Sequence, residues 1–313
     1  MTTVFRASIA LFLLIAAQHC LAVTSIPVDD SYTPSERFYR YKKQDPSLEW
    51  PALTFAAGQQ VFFDRRYKAI DKRELHLDLF KPAPEKNNEQ IIVMIHGGGW
   101  RSGQRSHLYA MANQLAQRGY TLVVPEFRLS LEAPYPAAMQ DVNDVLQWLK
   151  QNAGEYAIDP GKIAVLGGSS GGHMASLLAY AGPSQVFGKS DVRVNALIDL
   201  DGVLNLDHER PNPQSPLQAW LGSDMEQSPE LWRQAAPTSH LSKTSPATLV
   251  ISSGQPRFTM GHKQVEETLK GFGIPYQYHA FPEVIHTYWL FDPYLSQTVD
   301  IIDGFLRNLG KNR

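Results

Sequence analysis

The run Gly167-Gly168-Ser169-Ser170-Gly171-Gly172 constrains this chain more than any other stretch. Residues 162–166 before it have the apolar composition of a buried strand, and residues 172–181 after it read as a helix. A strand that passes directly into a helix brings two backbones together at the turn, where only small residues fit. Glycines two before and two after a serine meet that demand. They hold the serine in a strained backbone with its hydroxyl exposed at the helix N-terminus. Two registers satisfy the spacing, Gly167-x-Ser169-x-Gly171 and Gly168-x-Ser170-x-Gly172. A phosphate loop would use glycines in a similar way, but no Gly-Lys-Ser/Thr follows here.

The surrounding pattern gives the turn its setting. Strands are expected at 59–67, 74–80, 91–95, 121–124, 162–166, 194–200, 247–251 and 276–281, and helices at 106–118, 136–152, 172–181, 261–270 and 297–309. Leu75, Leu77 and Leu79 alternate with polar neighbours, residues 91–95 are wholly apolar, and Val142, Val145, Leu146 and Leu149 follow helical spacing. Strands alternating with helices predict an α/β chain with a mostly parallel central sheet and helices on both faces. Residues 23–58 carry Pro27, Pro34, Pro46 and Pro51 and read as an irregular arm across the core. Residues 203–243, rich in Pro, Asn and Ser with Trp220 and Trp232, are too long for a simple crossover and read as an inserted cap. The remainder, 59–313, forms one domain around that insertion.

Residues 1–22 read as an address rather than a fold element. Arg6, an apolar run over 9–17 and a small-residue exit ending at Ala22 have the layout of a secretory signal. The run is shorter than the ~20 residues of a membrane span. Cys20 is the single cysteine, and Gln18 and His19 before it are poor neighbours for lipidation. Cleavage after Ala22 leaves a thiol-free protein suited to an oxidising compartment, periplasmic or extracellular. One cysteine also rules out a disulfide framework and a cysteine-based zinc cluster. With 29 Lys and Arg against 31 Asp and Glu, and no block of like charge, the chain lacks the footprint of a nucleic-acid binder. No H-E-x-x-H and no dinucleotide fingerprint is present, so no metal or cofactor is implied.

A second glycine cluster, His96-Gly97-Gly98-Gly99-Trp100, follows the strand at 91–95. Consecutive glycines let a loop aim amide N–H groups inward, as an oxyanion in acyl transfer requires. HGGGW, then FRLS with YPAAMQDV, then GGSSGGHMA together resemble the α/β-hydrolase superfamily over about residues 80–309. Within it the chain is similar to the esterase/lipase branch near hormone-sensitive-lipase-like and carbohydrate (acetyl/feruloyl) esterases. The resemblance implies Ser169 as nucleophile, with Gly98, Gly99 and Ser170 donating N–H groups to the oxyanion. It implies His286, just past the last strand, as base, and gives His96 and His173 structural roles.

The acid departs from the family pattern. Where an aspartate is expected after Ser253-Gly254, the chain reads Gln255-Pro256-Arg257-Phe258. Glu283, three residues before His286, is the first choice for that role and Asp201 the second, with Asp199 beside it. Arg128 and Asp141 read as a structural ion pair or cap. Arg257 reads as a surface arginine, placed where an acidic substrate group would reach it. Trp100 is a candidate substrate contact, because aromatic faces suit sugar or feruloyl rings. The implied function is an exported serine esterase acting on acyl esters of small molecules or carbohydrates. Its rivals are an amidase or formamidase of the same fold and a hydrolase-fold binding protein without catalysis.

Overall fold

The strands are β1 Gln60–Ile70, β2 Arg73–Lys81, β3 Ile91–Ile95, β4 Thr121–Pro125, β5 Ile163–Gly168, β6 Val194–Leu200, β7 Ala247–Ser252 and β8 Tyr276–Ala280. They form one sheet in the order β1-β2-β4-β3-β5-β6-β7-β8. The β1–β2 and β2–β4 pairs are antiparallel and every later pair is parallel. The computed structural model describes residues 26–182, 187–188, 190–207, 212 and 214–311. The export signal read at 1–22, with Cys20, lies outside these residues, as do the first three positions of the arm.

Among the described residues the α-helices of six or more residues are α1 Pro34–Tyr41, α2 Tyr109–Gln117, α3 Ala137–Gln151, α4 Ser170–Ala181, α5 Pro216–Leu221, α6 Pro229–Ala235, α7 His262–Gly271 and α8 Tyr294–Lys311. Strand alternation divides the core into two layers. Ile91, Val93 and Ile95 face the layer that holds Val142, Val145, Leu146 and Leu149 of α3 and Met174, Leu177 and Leu178 of α4. Ile92 and Met94 face the other layer, with Met111 and Leu115 of α2 and Ile302, Phe305 and Leu306 of α8. A strand covered on both faces needs apolar residues at every position, and all five residues of β3 are buried.

The arm is not wholly irregular. Its Thr33-Pro34-Ser35-Glu36 run starts α1: the Thr33 hydroxyl accepts the Glu36 N–H at 3.2 Å, and proline occupies the first turn. Phe38 from this helix stacks on Trp50 at 4.5 Å and meets Phe291 edge-on at 5.4 Å, fixing the arm to the α8 side of the core. Upstream, Asp29 pairs with Arg101, and the Ser102 hydroxyl donates to the Asp29 carbonyl. The arm is therefore bound to the loop after β3. In the 203–243 segment, α5 and α6 bury Trp220 and Trp232, and the Trp220 carbonyl accepts the Tyr135 N–H at 2.8 Å.

Arg128 and Asp141 form the expected ion pair. The Arg128 guanidinium reaches both carboxylate oxygens at 2.8 Å, and Lys68 Nζ donates to Oδ1 at 2.7 Å. Asp141 is fully buried, so these donors replace the water it gives up.

Candidate active site

Ser169 sits between β5 and α4 with φ 56° and ψ −124°, a conformation unfavourable for any side chain except where packing enforces it. Two glycines do the enforcing. A Cβ on Gly167 would lie 2.0 Å from the Gly171 carbonyl oxygen, and one on Gly171 would lie 2.1 Å from the Ile95 carbonyl oxygen. The Ser169 N–H donates to the Leu200 carbonyl at 2.8 Å, tying the turn to β6. Of the two registers that spacing allows, the strained residue is Ser169; Ser170 opens the helix with its side chain buried.

His286 Nε2 lies 2.9 Å from Ser169 Oγ, and its Nδ1 lies 2.9 Å from Asp201 Oδ2. With Nδ1–H donating to the carboxylate, Nε2 is left to accept from the serine hydroxyl. The imidazole is held on two further sides. Phe258 stacks on it with centroids 3.4 Å apart, and Trp289 meets it edge-on at 5.5 Å. Such a chain draws a proton from a hydroxyl as that hydroxyl attacks an electrophilic carbon.

The carboxylate that meets His286 is Asp201, not Glu283. Asp201 follows β6, adopts φ 52°, and is almost completely buried. Its Oδ1 accepts the Ser253 N–H at 2.8 Å and its own N–H donates to Ile251 at 3.0 Å, so the ends of β6 and β7 fix the carboxylate together. Glu283 lies in a tight turn with φ 52°, its N–H returning to the Phe281 carbonyl at 2.9 Å, and it is exposed. Three residues of separation make a turn there, and the turn points the glutamate to solvent. The sequence sign of this contact was a carboxylate immediately past a largely buried strand, in Asp199-Leu200-Asp201-Gly202.

Asp199 braces the turn without touching His286. Its Oδ1 accepts the Gly202 N–H at 2.8 Å, while Oδ2 has no partner among the described residues. Burial holds this carboxyl well above the usual carboxylate range, and neighbouring Asp201 pushes it the same way.

In the loop after β3, Gly98 has φ 135° and Gly99 has φ 63°. A Cβ on Gly98 would lie 2.1 Å from the Ser102 carbonyl oxygen. Among the described residues the N–H groups of Gly98, Gly99 and Ser170 make no hydrogen bond to protein, and both glycines line the cleft that contains Ser169 and His286. His96 supports this loop: its Nδ1–H donates to the Gly97 carbonyl at 3.0 Å, and its ring stacks on Phe127 at 4.4 Å. His173 Nε2 reaches the Ala235 carbonyl at 2.9 Å and ties α4 to α6. Burial pushes both rings down to about 4, which keeps them neutral near pH 7.

Trp100 does not line the cleft. Its ring stacks on Trp220 at 5.5 Å and meets His173 edge-on at 5.3 Å, so its role is packing between the loop and the 203–243 segment. The sequence reading missed two contributors. Phe258 covers the imidazole, and the arm supplies Ser31, Tyr32 and Tyr41 to the cleft, which encloses about 430 Å³. Among the described residues no group of three or more His, Cys, Asp and Glu is placed to hold a metal, and no helix is long and apolar enough to cross a membrane.

The sheet order, the strained serine between β5 and α4, and the histidine after β8 define an α/β-hydrolase fold. Solved structures agree. A truncated carbohydrate esterase from gut microbiota superimposes with a TM-score of 0.67 at 22% identity, covering 83% of this chain and all of that one. The apo form of Thermogutta terrifontis esterase 2 gives 0.66 at 22% identity, covering 81% of this chain and 96% of that one. The BD-FAE family model matches residues 77–263, more than half of the chain, and the chain belongs to that family. Among curated relatives, the probable carboxylic ester hydrolase LipM of Mycobacterium tuberculosis is 29% identical over 190 residues, 57% of this chain and 42% of that one. Carboxylesterase NlhH of the same organism is 33% identical over 120 residues, 36% of this chain and 38% of that one. The chain thus spans about two fifths of the length of these two relatives.

Proposed function

We propose that the protein is a serine carboxylesterase. Ser169 attacks the acyl carbon while His286 takes its proton, and the N–H groups of Gly98, Gly99 and Ser170 hold the oxyanion. His286 then gives the proton to the departing alcohol, leaving an acyl-serine. Water activated by the same imidazole hydrolyses that intermediate and frees the acid. Asp201 keeps the imidazole in the Nδ1–H tautomer and stabilises the imidazolium as it forms.

The observation that carries this reading is the unbroken chain from Asp201 through His286 to Ser169, 2.9 Å at each link. The relatives named as carboxylic ester hydrolase and carboxylesterase support it. The departure from the family acid, which favoured a binding protein without catalysis, loses its force once Asp201 fills the role. Acetyl or feruloyl esters of carbohydrates are the substrate class we infer, with support from the carbohydrate esterase among the structural neighbours. The layout of residues 1–22 supports action outside the cytoplasm.

Incubation of the full chain with 4-nitrophenyl acetate and with a fluorophosphonate probe tests the mechanism. Turnover and covalent labelling are expected, both abolished by Ser169→Ala. Failure to label or turn over, or loss in Ser170→Ala with retention in Ser169→Ala, overturns the assignment.

A further inference from the structure

Of the fourteen residues lining the Ser169 cleft, four are arginines and none is an aspartate or glutamate. Arg37 and Arg40 come from α1 of the arm, Arg101 from the loop after β3, and Arg257 from the turn after β7. Their charges are only partly answered. Arg40 pairs with Glu36 at 2.5 Å, and Arg101 pairs with Asp29. Arg37 shares Glu36: its Nε lies 3.2 Å from Glu36 Oε2 without hydrogen-bond alignment, so both atoms are buried with no partner. Arg257 makes no ion pair among the described residues; its guanidinium contacts are Gln255 Oε1 at 3.4 Å and the Phe258 ring at 4.4 Å. Asp45 and Glu283 stand in the adjoining pocket beside Arg257 without forming an ion pair to it, so the cleft lining itself is basic and Arg257 is its unpaired member among the described residues.

Segments distant in sequence converge here with like charge, an arrangement that repels itself until an anion enters. The planar guanidinium fork matches a carboxylate. Arg257 lies over the Phe258 ring at 4.4 Å, and Phe258 stacks on the imidazole that faces Ser169. Arg257 and Ser169 line the same cleft, so a carboxylate held at Arg257 shares that cleft with the reacting bond.

We propose that the cleft selects esters that carry a carboxylate, and that Arg257 with Arg37 and Arg40 binds that group. The proposal rests on the esterase reading above and narrows it: within ester substrates, the preferred ones are acidic. An acidic sugar on the alcohol side and an acidic acyl chain would both present such a group.

Two matched pairs separate these sources. 4-Acetoxybenzoate against 4-acetoxybenzamide puts the charge on the alcohol side; 4-nitrophenyl hydrogen adipate against 4-nitrophenyl hexanoate puts it on the acyl side. At low salt one anionic member should exceed its neutral partner in kcat/KM by about 10- to 100-fold, the worth of a charged hydrogen bond. That ratio should shrink as salt rises and fall about tenfold in Arg257→Met combined with Arg40→Met. Ratios at or below one in both pairs, or a ratio that the double substitution leaves unmoved, overturn the proposal while neutral turnover leaves the esterase reading intact. If no ester is turned over, the esterase reading fails, and binding by the Ser169→Ala protein decides the anion site. Tighter binding of 4-hydroxybenzoate than of 4-hydroxybenzamide, weakened by Arg257→Met, supports it; equal binding overturns it.

Discussion

Ser169, on the turn that Gly167 and Gly171 shape after β5, meets Tyr32, Arg37, Arg40 and Tyr41 of the arm across one cleft, yet the two halves are held in different ways. The sheet end is fixed by backbone: carbonyls 2.0 Å and 2.1 Å from where a Cβ would stand leave no choice of residue at Gly167 and Gly171. Among the described residues the arm has one backbone bridge, between Glu49 and Asp292, and is otherwise fixed through side chains, by Phe38 on Trp50 and Phe291 and by the Asp29 contacts to Arg101 and Ser102. Backbone constraints leave a sharp signature in sequence and tolerate little change. Side-chain attachment leaves a diffuse signature and is adjustable. The first half suits chemistry that must not vary, the second suits selection among substrates.

Substitutions sharpen this contrast in descending order of effect. Ser169→Ala should lower kcat on 4-nitrophenyl acetate by ~10⁴-fold or more. Asp201→Asn should cost about 10⁴-fold by spoiling the imidazole tautomer, whereas Glu283→Gln, a change on an exposed turn, should stay within about twofold. A larger loss in Glu283→Gln than in Asp201→Asn would return the acid role to Glu283. Gly167→Ala should destabilise the protein by about 3 kcal/mol in urea unfolding, since its new Cβ meets unyielding backbone. Phe38→Ala should cost a similar amount, about 3 kcal/mol, through the lost aromatic packing. The two differ in kinetics: Gly167→Ala should depress kcat, and Phe38→Ala should raise KM by a larger factor than it lowers kcat. A Phe38→Ala enzyme with an unchanged KM would break the comparison.

Acidification gives the subtlest contrast. His96, His107 and His173 are each pushed by burial down to about 4. In the unfolded chain they take up protons below about pH 6.5. The unfolded state therefore binds more protons between pH 6.5 and 4, and stability falls as pH drops through that window, by roughly 3 kcal/mol for each fully enclosed ring. Asp199 acts in the opposite sense, because its raised carboxyl keeps a proton that the unfolded chain releases above about 3.8, so its contribution is lost as pH rises. His173→Gln should reduce the loss between pH 7 and pH 4.5, read from urea midpoints at each pH. An identical loss in that variant would remove His173 from the account.

The difference between the halves also explains what was legible in the sequence. Apolar runs such as 91–95 and the helical spacing of Val142, Val145, Leu146 and Leu149 identified strands and helices because burial on two faces or one dictates residue type. Ser169 and the glycines around it were readable because the turn permits little else. His286 was readable from its place after β8. Asp201 was harder, since the contact to His286 spans 85 positions and depends on how the ends of β6 and β7 sit together. Glu283 was nearer in sequence, but nearness there makes a turn instead of a contact. Helix α1 is eight residues long in a proline-rich arm, and its capping run Thr33-Pro34-Ser35-Glu36 was the one local sign of it. Its arrival at the cleft, and the convergence of four arginines there, is a tertiary event with no periodic trace.

One attachment has a wider consequence. The Asp29 carboxylate clasps Arg101 and its carbonyl takes the Ser102 hydroxyl, two and three positions beyond Gly99. Tension anywhere along the leading strip is thus passed to the loop that carries Gly98 and Gly99. Grafting this strip between related enzymes should transfer appetite and pace as a single trait, and anything that tugs on it in the cell would throttle the reaction from outside the pocket.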